Sequence, residues 1–229
     1  MVIKMQITYI NHSGFLVETD ECYYLFDYYK GSLPPLKTEK PILVFASHSH
    51  GDHYNREIFS LLKNVGMQHI TAVLAKDISP KKYPEDVAVQ KVTFHEKYEL
   101  PCHTTLETLL STDAGVAFLI HCPEGTIYHA GDLNDWVWEG EPERNNRQMT
   151  GSYRHEIDLL KNVKIDVSFI PLDPRQGKDY ANGMLYFLKK IDVKKVFPMH
   201  YWERPEIIEQ FLHEYPEYAK QIENTEKAK

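Results

Sequence analysis

Cysteine is scarce in this chain, and the few cysteines show no spacing that would join them into a framework. The 229 residues include only Cys22, Cys102 and Cys122, and no two of them stand in CxxC spacing. An odd number of cysteines without such spacing argues against a set of disulfides. A chain of this length can bury roughly 70% of the surface that it exposes when unfolded. We therefore expect it to fold on its apolar core, with no disulfide or metal needed for folding.

Long apolar runs are also missing. The first eight residues contain no apolar run of signal-peptide length and no cleavage site of small residues. Nowhere does an uninterrupted apolar stretch approach the roughly 20 residues that a membrane-spanning helix needs. We therefore expect a cytoplasmic protein that has no membrane partner.

Positive charge is the third scarcity. Lys and Arg total 26 against 33 Asp and Glu, which gives a formal net charge of −7. Proteins that bind nucleic acid usually carry a basic face, so this balance makes nucleic acid an improbable partner, although a local basic pocket is compatible with it. The expected partner is a small-molecule substrate. The sequence leaves the oligomeric state open.

The apolar pattern that is present predicts sheets first and alternating strands and helices later. Alternation from Ile3 to Tyr9 predicts a strand, and the continuous apolar run 42–46 predicts a strand buried on both faces. We predict one α+β domain over residues 1–229, folded as a four-layer αββα sandwich. The polar segment 134–150 is expected to be a loop, with a lid as its candidate role. Further helices are predicted at 55–63, 153–162, 180–190, 205–214 and 217–227.

The strongest motif lies directly after the apolar run. His48-Ser49-His50-Gly51-Asp52-His53 places four candidate metal ligands within six residues. In an extended turn, positions i and i+2 point the same way, so His48 and His50 can hold one metal together. We expect Gly51 to relax the backbone so that Asp52 and His53 can face a second metal. Imidazole and carboxylate ligands favour zinc first, with manganese or iron as alternatives.

Two later strands end in the same kind of residue. The strand at 126–130 leads into Asp132, and the strand at 195–198 leads to His200. A single such aspartate or histidine would indicate little, because an aspartate after glycine is usually a turn residue. Three strand ends that carry ligands indicate one site, since a rigid scaffold can present them together.

These motifs resemble those of the metallo-β-lactamase superfamily over nearly the whole chain. The segment from Tyr9 to Phe15, with Leu25-Phe26-Asp27 after it, is similar to the intracellular branch that includes ascorbate-6-phosphate lactonase and RNase Z-like hydrolases. The resemblance implies two divalent cations, with Asp132 as the carboxylate between them. It also implies a place for Asp27 behind the ligands. The ligands that it implies are His48, His50, Asp52, His53, Asp132 and His200.

The chain departs from the superfamily pattern in one place. Most members carry a further histidine between the first motif and the bridging aspartate, and the matching stretch 110–116 contains none. Asp113 is the best substitute ligand in that stretch, but it is equally compatible with a turn aspartate. His103 and His121 flank the stretch at positions that do not suit a ligand.

Other residues stay open between a role at the site and an ordinary structural role. Two further histidines could reach the site or lie in the core. Two tryptophans could form a lid or pack a loop, and two basic residues could hold an anionic group of the substrate or be solvated. They are His12, His129, Trp136, Trp138, Arg175 and Lys178.

Together these features predict a metal-dependent hydrolase in which a hydroxide held between two cations attacks an ester, lactone, amide or phosphodiester. Asp52 is the candidate catalytic residue, because it could bind the second cation and handle the proton. One alternative is a catalytically impaired regulatory or interaction protein that binds metal on the same fold. Another is a redox di-iron protein, but such relatives usually carry Glu where this chain has Ser49.

Overall fold

The computed structural model describes residues 5–225, which contain two mixed sheets of six strands each. The first sheet has the order β1 to β6: β1 (Gln6–Asn11), β2 (Gly14–Glu18), β3 (Tyr23–Phe26), β4 (Ile42–Ala46), β5 (Ile70–Ala75) and β6 (Ala88–Val92). In the second sheet, too, neighbouring strands follow one another in the sequence: β7 (Lys97–Leu100), β8 (Thr104–Leu110), β9 (Val116–Cys122), β10 (Gly125–His129), β11 (Lys164–Pro171) and β12 (Asp192–Met199).

Within each sheet, the pairing changes once between antiparallel and parallel. In the first sheet, β3 to β6 are parallel, and the hairpins at β1 and β2 are antiparallel. In the second, β10 to β12 are parallel, and the meander from β7 to β10 is antiparallel. The parallel strands carry the crossover helices, so their carboxyl ends are free to present loops with polar side chains.

The helices cover the outer faces of the sheets: α1 (Glu57–Asn64), α2 (Glu143–Asp158), α3 (Asn182–Lys190) and α4 (Glu206–Glu214). Ile58, Phe59 and Leu62 of α1 pack on the outer face of the first sheet. Phe187 of α3 stacks on Tyr128 of β10, with ring centroids 5.4 Å apart. The predicted four-layer αββα sandwich is therefore confirmed.

Aromatic side chains fill the space between the sheets. Phe15 and Phe169 lie 4.3 Å apart between ring centroids, and Phe45 meets Phe118 at 5.3 Å. These rings come from strands of both sheets and are fully buried. Their packing fixes the distance between the sheets, and thereby the positions of the strand ends.

Two predicted elements were wrong. The segment 134–150 is a loop only up to residue 142, because α2 begins at Glu143 and continues through most of the helix expected at 153–162. This helix is mostly solvated, and only Tyr153, Glu156 and Ile157 are buried, so its first half shows no apolar stripe.

Over its described part, the helix predicted at 217–227 is replaced by a short 3-10 helix (Pro216–Tyr218), a turn and an isolated bridge between Ile222 and Val196. The amide of Val196 donates to the carbonyl of Gln221, and the amide of Glu223 donates to Val196, both at 2.8 Å. This segment thereby covers the edge strand β12, whose backbone would otherwise lack partners. The short strand β7 was not predicted, and Ile3 and the end of the predicted last helix lie outside the described residues.

Within residues 5–225, no helix is both long enough and apolar enough to cross a membrane.

Candidate metal centre

Strand ends from both sheets meet at one edge of the sandwich. The loop after β4 carries the motif His48 to His53, Asp132 follows β10 and His200 follows β12. Asp27 follows β3 and Asp173 follows β11 at the same edge. The convergence of strand ends that the sequence predicts is therefore present.

Three groups of donor atoms form where these residues meet, and within each group all donor atoms lie within 4.8 Å of one another. Asp132 belongs to two groups, so a single carboxylate connects them. All seven residues predicted as ligands are in these groups, with His12 as an addition. The groups are His48, His53 and Asp132; His50, Asp113 and Asp132; and His12, Asp52, His53 and His200.

The donor atoms fit divalent cations because several of them are buried without a partner. Among the described residues, the Nε2 atoms of His12, His48 and His53 and Oδ1 of Asp132 make no hydrogen bond. Nε2 of His53 and Oδ1 of Asp132 lie 3.1 Å apart, but not in hydrogen-bond geometry. Buried polar atoms of this kind are costly unless something satisfies them. Imidazole and carboxylate donors suit zinc, manganese or iron.

Asp27 orients the ring of His53 from the side opposite the candidate metal position. Its carboxylate accepts hydrogen bonds from the backbone amide of Ser47 at 2.8 Å and from the Ser47 hydroxyl at 2.6 Å. It also lies 2.7 Å from Nδ1 of His53. Burial alone would raise the pKa of Asp27, but the imidazoles of His129 and His53 hold that pKa below its usual range. The carboxylate therefore keeps the proton of His53 on Nδ1 and leaves Nε2 free to bind.

Asp173 does the same for His200. Its Oδ2 lies 2.9 Å from Nδ1 of His200 and accepts a hydrogen bond from the indole of Trp202 at 3.3 Å. The guanidinium of Arg175 binds the same carboxylate through Nε at 2.9 Å. Burial would raise the pKa of Asp173, but His200 and Arg175 lower it to about 2. The sequence analysis did not single out Asp173, although it follows a buried strand as the candidate ligands Asp132 and His200 do.

Without a cation, the charges at the centre compensate one another. Burial by itself would lower the pKa of His53, but Asp132 and Asp27 raise it to about 10. Burial would raise the pKa of Asp132, yet the imidazoles of His53, His200 and His48 hold it below its usual range. Without a cation, the carboxylates of Asp132 and Asp27 therefore favour the protonated form of His53.

Two glycines allow the loop after β4 to approach the second sheet. Gly115 has φ +70° and Gly131 has φ +53°, both in the left-handed region. A Cβ on Gly115 would collide with the carbonyl oxygen of Ser47, and one on Gly131 would lie 2.8 Å from Cβ of Ser47. Gly51, in contrast, has an ordinary φ and open space around it. The expectation that Gly51 is needed to turn the motif was therefore wrong.

The centre opens into a cleft of about 260 Å³. Trp136, Trp138 and Trp202 form its walls, and the guanidinium of Arg175 lies 4.5 Å from the ring centroid of Trp202. The indole Nε1 of Trp136 donates to the backbone carbonyl of Asp132 at 2.8 Å. The tryptophans are therefore part of the fixed wall, and Arg175 lines the cleft. Lys178, an exposed residue further along the same turn, does not line it.

The structure separates the two histidines that the sequence left open. His129 is a core residue: its Nε2 lies 2.9 Å from the carbonyl of Ser13, its Nδ1 accepts from the amide of Gly131, and it stacks on Phe26. His12 is also buried, but it lies in the ligand group with an unpaired Nε2. Burial, and the imidazoles of His200 and His53, lower the pKa of His12 to about 2, so its ring is neutral.

A larger cavity, of about 750 Å³, lies between α2 and the end of β8. It contains one histidine and one glutamate, and Glu156 is already bound to His95 and to the amide of Leu110. Within residues 5–225, no buried side-chain atom without a hydrogen-bond partner lines this larger cavity, so the smaller cleft is the candidate site.

Comparison with known proteins identifies the family. The family model of the beta-lactamase superfamily domain matches residues 6–143, more than half of the chain. A "UPF0173 metal-dependent hydrolase" of Pyrobaculum islandicum is 26% identical over 212 residues, which cover 86% of this chain and 84% of that protein.

Two solved structures are similar in fold. Igni18, described as a novel metallo hydrolase from Ignicoccus hospitalis, has a TM-score of 0.65 and 18% identity, with 96% of this chain and 94% of that chain covered. A metallo-β-lactamase fold protein from Bacillus subtilis has a TM-score of 0.54 and 14% identity, with 86% and 87% covered. The chain has the metallo-β-lactamase fold and belongs to the beta-lactamase superfamily.

Proposed function

We propose that this protein is a hydrolase that requires two divalent cations and acts on small molecules. The observation that carries the proposal is the position of Asp132, a buried carboxylate: its Oδ2 lies 3.4 Å from Nε2 of His48, and its Oδ1 lies 3.1 Å from Nε2 of His53 and 3.4 Å from Nε2 of His200. A carboxylate placed in this way can hold two cations close together. The name of the Pyrobaculum relative, a metal-dependent hydrolase, supports the same activity.

The two cations would divide the ligands between them. His48 and His50 would hold the first, with Asp113 as an additional ligand, and Asp52, His53 and His200 would hold the second; Asp132 would serve both. Zinc is the first candidate, with manganese or iron as alternatives. When bound, two such cations supply a Lewis acid for the substrate oxygen and lower the pKa of a water molecule towards neutrality.

The chain's own residues would orient the reaction. Asp27 and Asp173 hold the rings of His53 and His200, so these ligands need not reorganise when substrate binds. Asp52 lines the cleft with its carboxylate half-exposed. We assign to it the proton of the attacking water, which it would accept on its free oxygen and pass to the leaving group.

The cleft favours a small substrate. Its volume of about 260 Å³ suits a small molecule, and its walls combine indole rings with one guanidinium. An ester, lactone, amide or phosphodiester would place its reacting bond over Asp132, with an anionic group, where present, near Arg175. RNA is expected to be a poor substrate, because the net charge of −7 opposes a phosphate backbone.

Metal analysis combined with a substrate panel tests the proposal. Elemental analysis of gently purified protein should give close to two cations per chain, and ester, lactone and phosphodiester substrates should be hydrolysed. His50→Ala and Asp132→Ala should abolish hydrolysis while circular dichroism shows an intact fold. The exposed His69 is a matched control, since His69→Ala should retain activity.

A chain that contains no metal and cannot take it up would refute the proposal. Tight RNA binding that weakens steeply with salt would refute the small-molecule assignment.

A further inference from the structure

His12 lies outside the ligand motifs, in the turn between β1 and β2. Its ring is nevertheless among those of the metal centre: the centroids of His12 and His200 are 4.2 Å apart, and those of His12 and His53 are 5.5 Å apart. Trp202 covers its other side at 4.5 Å. The side chain is 6% exposed, so it is enclosed within the site rather than on its rim.

The Nε2 atom of His12 shows the same feature as the other candidate ligand atoms. It is buried and makes no hydrogen bond among the described residues, as is true of Nε2 of His48 and His53. It lies 3.6 Å from Oδ2 of Asp52. Two ligand atoms about 2.1 Å from a tetrahedral zinc ion are roughly 3.4 Å apart, so this separation suits a shared cation.

The backbone holds His12 in this position from both sides. Its amide donates to the hydroxyl of Tyr9 at 2.9 Å, and its carbonyl accepts the amide of His200 at 3.4 Å. Both histidines have a left-handed backbone, with φ +57° at His12 and +64° at His200. Residues other than glycine seldom adopt this conformation, and where they do, the site commonly needs it.

We propose that His12 is a ligand of the second cation, which would then be held by three histidines, Asp52 and the shared Asp132. This inference rests on the two-cation site proposed above and adds to it a ligand from the first hairpin. The comparison with His129 supports it, because a structural histidine in this same core uses both ring nitrogens in hydrogen bonds. His12 directs a free nitrogen at three other donor atoms instead.

Two variants remove the imidazole while respecting the backbone. His12→Asn keeps a residue that tolerates the left-handed region, and His12→Gly removes the strain altogether. The control is His103, an exposed histidine with φ +52° far from the ligand groups, changed to Asn and Gly in the same way. Each metal-free protein is titrated with zinc and with cobalt(II), whose absorption reports the ligand geometry.

Wild type and both His103 variants should take up two equivalents with the same cobalt spectrum. Both His12 variants should bind one cation normally and the other at least roughly 100-fold more weakly, with an altered spectrum. The rise in melting temperature on adding zinc should be smaller in both His12 variants than in the matched His103 variants, because a ligand contributes to stability only when metal is bound.

The inference is overturned if the His12 variants keep the wild-type affinities and spectrum. It is also overturned if they lose stability equally with and without metal, since that would make His12 a structural residue. A wild-type protein that binds no cation would overturn the proposed function itself.

Discussion

His53 and Asp27 form a pair in which Nδ1 lies 2.7 Å from Oδ2 and neither side chain has exposed surface. Ser47 donates twice to the same carboxylate, from its amide and from its hydroxyl. Every oxygen of Asp27 is thereby engaged, and the ring of His53 has one orientation. We therefore expect the affinity of the centre for metal to depend on Asp27, which lies behind the candidate ligands.

We expect Asp27→Asn to weaken metal binding by about 10–100-fold. The amide cannot replace a carboxylate that accepts three hydrogen bonds, so the orientation of His53 is lost. Competition with a chromophoric chelator measures the affinity. The control is Asp166→Asn. Asp166 pairs with Lys194 away from the centre, so this change should leave the metal affinity unchanged. An Asp27→Asn protein with wild-type affinity would contradict this role.

Stability of the metal-free protein should fall as pH rises from 7 to 10. The pKa of His53 is about 10 in the folded chain against an ordinary 6.5, so its protonated form stabilises the fold. That contribution is complete below pH 6.5 and is lost as pH rises through about 10. Urea midpoints across this range provide the measurement.

In His53→Gln this part of the pH dependence should disappear. Metal-loaded wild type should also lack it, because bound His53 is neutral. Equal pH profiles for metal-free wild type and His53→Gln would contradict the expectation.

Asp113 lies in one donor group with His50 and Asp132, and its side chain is exposed. As a ligand, it replaces a neutral imidazole by a negative charge, which favours harder cations such as manganese. We expect Asp113→His to shift preference towards zinc by about tenfold. Asp113→Ala should lower occupancy of the first site and spare the second.

Competition between zinc and manganese on the wild type and the two Asp113 variants measures this shift. The same stoichiometry and preference in all three would identify Asp113 as a turn residue.

Gly115→Ala should destabilise the protein by about 1–3 kcal/mol and weaken the first metal site. A Cβ there would collide with the carbonyl of Ser47, next to His48, and the left-handed backbone adds strain. Gly51→Ala is the matched control within the motif, with an expected change of less than about 0.5 kcal/mol. Urea denaturation gives the stability of both variants, and metal titration gives their affinity. Equal effects of the two substitutions would contradict the collision at position 115 as the cause.

The regular parts of the fold could be predicted from local pattern. The apolar run at 42–46 matches β4 to the residue, because a strand buried on both faces needs apolar side chains at every position. The first half of α2 could not, since few of its side chains are buried. After residue 218 the chain turns, and Ile222 pairs with Val196 of β12; a contact between residues so distant in sequence leaves no local pattern.

At the site, the structure brings together the candidate ligands that are consecutive in the sequence or that follow the end of a strand. The motif from His48 to His53, with Asp132 and His200, lies where the sequence placed it. His12 and Asp173 were harder to predict as parts of the site, because each lies in a loop, where no periodic pattern shows which way a side chain points. Only the packing of the two sheets brings the turn after β1 against the end of β12.

The indole of Trp136 donates a hydrogen bond to the backbone carbonyl of Asp132. One wall of the cleft is thereby attached directly to the residue whose carboxylate would serve both cations. Any attempt to redesign substrate choice through Trp136 would disturb the centre as well. Trp138 stacks on Trp136 with centroids 5.8 Å apart and remains half-buried. A directed-evolution library aimed at new substrates should therefore randomise position 138 and keep Trp136 unchanged.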